Sequence, residues 1–384
     1  METTIQKTIV FGVFILIGFL LKRKFTSKAE TQGLKKIILN LALPATIFIA
    51  LMGVDVDPSL LTLPFLALLL NGLLFWIFPF VLPMVGFKKN TSEYRTLRLL
   101  LPSLAPGLSC FPFIAEILGP TYLAKAAMAD LGNKIFVLII LYCVAVHWFM
   151  KVSSNTGEKQ SGKLKSLITT LLSEPVTVLI LLAIGLLSFG FSFQNLPSMI
   201  QDVLQKLSLL MTPLVMIFIG LSVKIRKDQF IKIVSILILR AGIVLLISAG
   251  IVGVMGITIR EEILWLISFS LSACSFWPYA HIASISEKEK EELDDSKKTF
   301  HNGFAINVLA ISFPLSTVMI MSIMLNPSMV GDPYRIILLA IGCIGIGVIL
   351  TFWVRYQEIK DVAKRNTTIG PKQNIWITRQ ASKN

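Results

Sequence analysis

Charge is scarce in this chain. Of its 384 residues only 15% are Asp, Glu, Lys or Arg, against roughly 25% in soluble domains. Acidic residues are the scarcer sign, 22 against 36 basic, for a formal net charge of +14. There are three histidines and four cysteines. Cys110, Cys143, Cys274 and Cys343 all fall inside apolar segments without metal-ligand spacing. They read as buried small hydrophobes, so neither structural disulfides nor a metal centre is expected. A Walker A pattern, a nucleophile–base pair and a Gly-rich phosphate loop are all missing. ATP hydrolysis and covalent catalysis therefore have no support, and no cofactor is expected.

Apolar length takes the place of charge. The chain is 54% hydrophobic with a mean hydropathy of +0.76. Runs of 18 or more apolar residues recur along it, which a water-soluble core could not hide. Eleven spans are predicted: 6–21, 34–53, 60–85, 97–118, 122–149, 174–191, 200–223, 230–255, 263–285, 300–325 and 334–354. The first reads as a span rather than a cleaved signal, because Lys7 alone precedes it and Lys22, Arg23 and Lys24 follow it.

The loops alternate in charge. Basic clusters follow spans one, three, five and seven, whereas the loops between hold residues such as Asp55, Asp57, Glu261 and Glu262. The positive-inside rule then places the N-terminus outside and the basic loops and C-terminal tail in the cytoplasm, in an inner membrane. This distribution also explains the net charge, so no nucleic-acid partner is expected. The mixed stretch from Glu287 to Lys298 reads as a solvated loop.

Residues 34–51 and 204–221 are nearly the same segment written twice. At a constant offset of 170, seven of the 18 positions are identical, and each copy carries a helix-breaking proline, Pro44 or Pro213. The expected domains are a first five-helix repeat (1–150), a linker (151–173), a second repeat (174–326), an extra helix (327–356) and a tail (357–384). Five is odd, so the second repeat enters from the opposite side and is inverted. Gly342, Gly345 and Gly347 in span eleven suggest close packing of a peripheral helix.

Span four holds Pro102, Pro106 and Pro112, with the strongest break predicted at Pro106–Gly107; span nine breaks at Pro278. Unwound backbone at membrane depth is tolerated only where it is buried or lines a cavity, so the pair points to a substrate site suited to an anion. Pro106, Gly107, Ser109, Trp277, Pro278 and Tyr279 would shape it. His281, three residues after Pro278, could line it, with a packing histidine as the plain alternative. Span five carries Asp130, Asn133 and Lys134, with Asp130 and Lys134 at i, i+4. Intramembrane charges are costly and usually face a cavity, so Asp130 is the candidate proton-sensing group. Arg240 lies about 18 Å along span eight from Asp228 at the helical rise, too deep to snorkel easily. Asp130 or an anionic substrate is its expected partner.

At these residues the chain resembles the auxin efflux carrier family of bacterial and plant permeases. The likeness rests on Asn40-x-x-x-Pro44, Ala129-Asp130-Leu131-Gly132-Asn133, Glu174-Pro175 with Leu196-Pro197, Pro213 with Ile219-Gly220-Leu221, and Pro314. It covers about residues 5–325. It implies ten helices in two inverted five-helix repeats, crossed broken fourth and ninth helices, and carriage of small carboxylates. It adds Asn40 and Ala105 to the expected substrate-binding set. Where the family often has Asn-Thr-Gly at the fourth-helix crossover, this chain has Ala105-Pro106-Gly107, and span eleven is extra.

The expectation is an all-α polytopic membrane protein: a non-enzymatic, alternating-access permease for a small organic anion such as a dicarboxylate. Asp130, Asn133, Lys134 and Arg240 form its coupling group. Its partners are the lipid bilayer, the anion, and protons or another coupling ion. A homodimer is one open assembly state. The alternatives are an ion–proton antiporter and a transporter-like receptor without flux.

Overall fold

A computed structural model describes residues 2–25, 27–53, 60, 62–152, 175–222, 229–286, 289 and 298–368. The described residues are nearly all helical and contain no strand. Seven helices are long and apolar enough to cross a membrane: Ala29–Met52, Leu63–Met84, Pro120–Val152, Ser198–Phe218, Phe230–Met255, Asn302–Leu325 and Pro333–Gln357. The outward face of Leu63–Met84 presents Phe65, Leu69, Trp76 and Phe80, an apolar stripe with no place in water. The chain is a multi-span helical membrane protein.

Of the other four expected spans, the first is a continuous helix, the sixth is shorter, and the fourth and ninth are interrupted. Helix α1 is Glu2–Leu21. The fourth span is split into α4 (Ser92–Leu100) and α5, which runs through Pro106–Ser109, Phe111–Phe113 and Ile114–Leu118. The sixth is α7, Pro175–Ser188, of 14 residues. The ninth is split into α11 (Arg260–Ser270) and α12 (Phe276–Ser286). Between them lie α2 (Lys28–Ile37, Ile38–Ala42 and Leu43–Met52), α3 (Leu63–Met84), α6 (Pro120–Ile135, Phe136–Ile140 and Leu141–Val152), α8 (Ser198–Leu209), α9 (Met211–Ser222) and α10 (Phe230–Met255). Helices α13 (Asn302–Leu325) and α14 (Pro333–Thr368) close the chain. The 151–173 linker and the Glu287–Lys298 loop fall almost wholly outside the described residues, and so does the chain beyond 368.

Local sequence explains how α2 starts and why it stays whole. Ser27 caps it, accepting from the Glu30 amide at 3.2 Å while the Glu30 carboxylate accepts from the Ser27 amide at 3.1 Å; this reciprocal pair closes two open donors. Pro44 was expected to break the helix, but α2 continues through it. The turn Ile38–Ala42 widens to π geometry, with the Leu43 amide reaching the Ile38 carbonyl. The wider turn makes room where the proline ring would strike the preceding turn. Pro213 sits differently, in the first turn of α9 after the chain bends at Leu210. A proline amide has no intrahelical partner to lose there.

Helix contacts are closest where a side chain is missing. Helices α3 and α6 touch at Gly132, where a Cβ would overlap the Pro64 carbonyl. Helices α1 and α9 meet through Gly18 and Gly220, each against the other's backbone. Such small-residue seams are how helices associate in lipid. Replacing Gly132 by valine is expected to force α3 from α6 and cost at least the roughly 1–3 kcal/mol of an overpacked core. The melting temperature of the purified protein in detergent would register it. An unchanged melting temperature would contradict this contact.

Helix α14 is more than peripheral. It lies along α10, where Gly347 rests against Ser235 and Leu239 and Gly242 against Ala340 and Ile344. Gly342 and Gly345, expected to pack, face open space. The Arg355 guanidinium donates to the Met84 carbonyl at the end of α3 at 3.1 Å. Cys110 and Cys274 are buried, but Cys143 is exposed on the outer face of α6, contrary to expectation, and no cysteine is paired.

Candidate functional site

The two breaks face each other. The helical pattern stops after Leu100 and resumes at Pro106; it stops after Ser270 and resumes at Phe276. The unwound stretches 101–105 and 271–275 have equal length and lie 170 residues apart. The prolines were expected to mark the breaks themselves. They instead mark where helix restarts, Pro106 as the first residue of α5 and Pro278 in the first turn of α12, positions that ask no amide of a proline.

The freed backbone is paired almost group by group. The Ala105 amide donates to the Ala273 carbonyl at 2.8 Å, joining the breaks directly. Three serine hydroxyls serve the second break: Ser109 accepts from the Ala273 amide at 3.1 Å, Ser312 from Cys274 at 2.8 Å and Ser103 from Ser275 at 2.9 Å. An amide side chain serves the first. Asn133 donates to the Leu104 carbonyl at 2.9 Å and accepts from the Leu104 amide at 3.2 Å. Asn71 in turn donates to the Asn133 Oδ1 at 3.0 Å. A buried irregular segment is tolerated only with such pairing.

Arg240 does not reach for Asp130, as was expected; it is turned to the breaks. Its guanidinium donates through Nε to the Leu101 carbonyl at 2.7 Å, through Nη1 to Ser272 at 3.0 Å and through Nη2 to Ser103 at 3.1 Å. The fork spans both unwound stretches and neutralises the negative ends of α4 and α11. Those three carbonyls engage all three guanidinium nitrogens, which is why the group is aimed away from the carboxylate.

One cavity of about 120 Å³ opens at this junction. Ala105 lines it from the first break, Pro106 and Gly107 from α5, Asp130, Asn133 and Lys134 from α6, and Trp277 from α12. Asp130 accepts from the Asn133 side chain at 2.8 Å, and its other oxygen lies 3.6 Å from the Lys134 Nζ. Ser109, Pro278, Tyr279, His281, Asn40 and Arg240 are not among the lining residues. Ser109 is committed to the breaks. The His281 Nε2 pairs with the Val137 carbonyl at 2.9 Å, in the π turn Phe136–Ile140, so it holds helices together. Asn40 sits on the exposed side of its own π turn, while Leu39 and Leu43 take the cavity side. Glu116 lines a separate, larger cleft of about 640 Å³ between α1, α2, α6 and α9.

A residue not foreseen as part of the site is Lys35. It lines the cavity, and its Nζ lies 4.6 Å from the Phe276 ring centroid. No carboxylate pairs with it among the described residues. The cavity thus presents two ammonium groups and one carboxylate, beside the N-terminal turn of α12. The count leaves the cavity with one positive charge in excess.

No family model matches the chain. Over 226 residues, 57% of this chain and 68% of the relative, it is 28% identical to a protein of Methanocaldococcus jannaschii named as an uncharacterised transporter. That likeness and the seven apolar helices support a transporter in general, and with it a role other than catalysis.

Proposed function

We propose that this membrane protein is a secondary carrier of a small organic anion, working by alternating access. The cavity at the paired breaks, with Lys35 and Lys134 against the single carboxylate of Asp130, carries the reading. Substrate sites of such carriers lie between repeats, at interrupted helices. The architecture proposed is the one that the auxin efflux carrier resemblance implies, two inverted five-helix repeats with the broken helices crossing between them. Two spacings support it. The unwound stretches share the 170-residue offset of the sequence repeat. Glu93 and Glu262, in the first turns of α4 and α11, lie 169 apart, and each ties its half-helix to a neighbour, Glu93 to Lys232 at 3.5 Å and Glu262 to Lys125. The proposed setting is the inner membrane, with the N-terminus outside and the basic loops in the cytoplasm.

Asp130 is the proton-responsive group in this reading. It is a carboxylate inside an apolar helix, held between an amide and an ammonium. The test is uptake of labelled malate into liposomes containing the purified protein, with and without an inward proton gradient. Gradient-dependent uptake is expected, reduced at least about tenfold in Asp130→Asn, since about 1.4 kcal/mol of lost coupling suffices for that. Uptake by Asp130→Asn with an unchanged gradient response would remove the coupling role. Saturable malate binding without any uptake would favour a receptor instead.

A further inference from the structure

A second cluster of cations lies away from the cavity, at the end of α3, α4 and α6 that carries Lys88 and Lys89. Arg98 is its centre. Its guanidinium carbon lies 4.8 Å from the Phe75 ring centroid, 5.0 Å from Trp148 and 5.9 Å from Tyr94. Its Nε is buried without a hydrogen-bond partner. No carboxylate pairs with Arg98 or Lys151 among the described residues. Neighbouring Arg95 is held through all three of its guanidinium nitrogens, donating to the carbonyls of Thr299, Asn90 and Lys298. Among the described residues, Arg98 and Lys151 are therefore cations without a paired carboxylate.

Two adjoining hollows meet at Arg98 and Trp148. One, of about 270 Å³, carries the charged groups and is lined by Tyr94, Arg95, Arg98 and Lys151 beside Trp148. The other, of about 400 Å³, is a shallow apolar groove over Phe75 and Val144. Cys143, His147 and Lys151 follow one another at i, i+4 and i+8 on the exposed face of α6. From Cys143 to Lys151 that face rises roughly 12 Å. It passes from apolar to charged with Trp148 in between, where an amphipathic ring suits a membrane interface.

We propose that this paired hollow is a binding site for an anionic phospholipid. The phosphate lies between Arg98 and Lys151, and an acyl chain follows the groove over Phe75 and Val144. The cationic hollow alone would suit a free phosphate. The continuous groove opening outward selects the lipid. Basic clusters beside membrane helices hold anionic headgroups in this way.

The test is lipid retention by the delipidated full-length protein in detergent, followed by native mass spectrometry and thermal shift. Phosphatidylglycerol is expected to be retained and to raise the melting temperature, with phosphatidylcholine and inorganic phosphate doing neither. The double variant Arg98→Gln, Lys151→Gln should hold phosphatidylglycerol roughly thirtyfold less tightly. Lys151→Gln alone, at an exposed position, keeps the test open where loss of Arg98 harms folding, and should weaken retention about fivefold. Equal retention of phosphatidylcholine would overturn the proposal, as would stabilisation by inorganic phosphate to the same degree. So would a lipid-free Lys151→Gln protein that melts like the parent and binds phosphatidylglycerol just as well.

Discussion

Arg240→Met is expected to be the most destabilising single substitution in this chain. Methionine fills much of the same volume but donates nothing. The carbonyls of Leu101, Ser103 and Ser272 would lose the donor that satisfies each of them now. Each stranded buried group costs about 1–3 kcal/mol, so the three together cost about 3 kcal/mol or more. Arg240→Lys should recover little of this, because a single ammonium cannot reproduce a planar fork that reaches two chain segments. Folded yield from detergent-solubilised membranes and the melting temperature of what survives are the measurements. A stable, monodisperse Arg240→Met protein would show that the breaks hold without the guanidinium.

The largest effect on ligand binding is expected at Lys134. Lys134→Met leaves Asp130 opposed within the cavity only by Lys35, and the excess positive charge disappears. Truncating one partner of a buried charge pair costs about 2–5 kcal/mol, so malate affinity should fall by about thirtyfold at the least. Lys35→Met, a half-buried cation of the same lining, should cost about tenfold, the roughly 1.4 kcal/mol of one lost charge contact. Trp277 lines the same cavity and offers an intrinsic fluorescence signal for the titration. If both lysine variants bind and carry malate as the parent does, the anion reading of the cavity fails.

Parts of this site are legible in the sequence because they violate a rule of lipid-embedded helices. Asp130 and Lys134 stand out as charges within an apolar run, and Pro106 and Pro278 as prolines within spans. Where exactly the helix opens is harder to read. A proline is compatible with a break before it, a kink at it or a widened turn before it, and Pro106 and Pro44 take different options. Arg240 is conspicuous for its depth, but its partners are main-chain carbonyls, which every residue has and no sequence pattern marks. Lys35 is hidden by its company: among Lys22, Arg23, Lys24, Lys28 and Lys36 it reads as a topology signal, and only the fold brings it against Phe276. Asn40 is the converse case, where a single π turn rotates an expected site residue to the outer face. The eleven-span reading follows the helices in order, yet the fourth and ninth are split by unwound stretches, because hydropathy sums over a break as readily as over a turn.

Irregular backbone is ordinarily where a protein breathes, and its amides trade hydrogen for deuterium first. Here the amides of Leu104, Ala105, Ala273, Cys274 and Ser275 are all engaged, and three carbonyls of the same two stretches share one guanidinium. Their exchange should therefore lag behind that of the exposed helix α8. A junction wired so densely moves as a unit or not at all, so any opening to one face of the membrane and then the other has to be carried by the helices that slide around it.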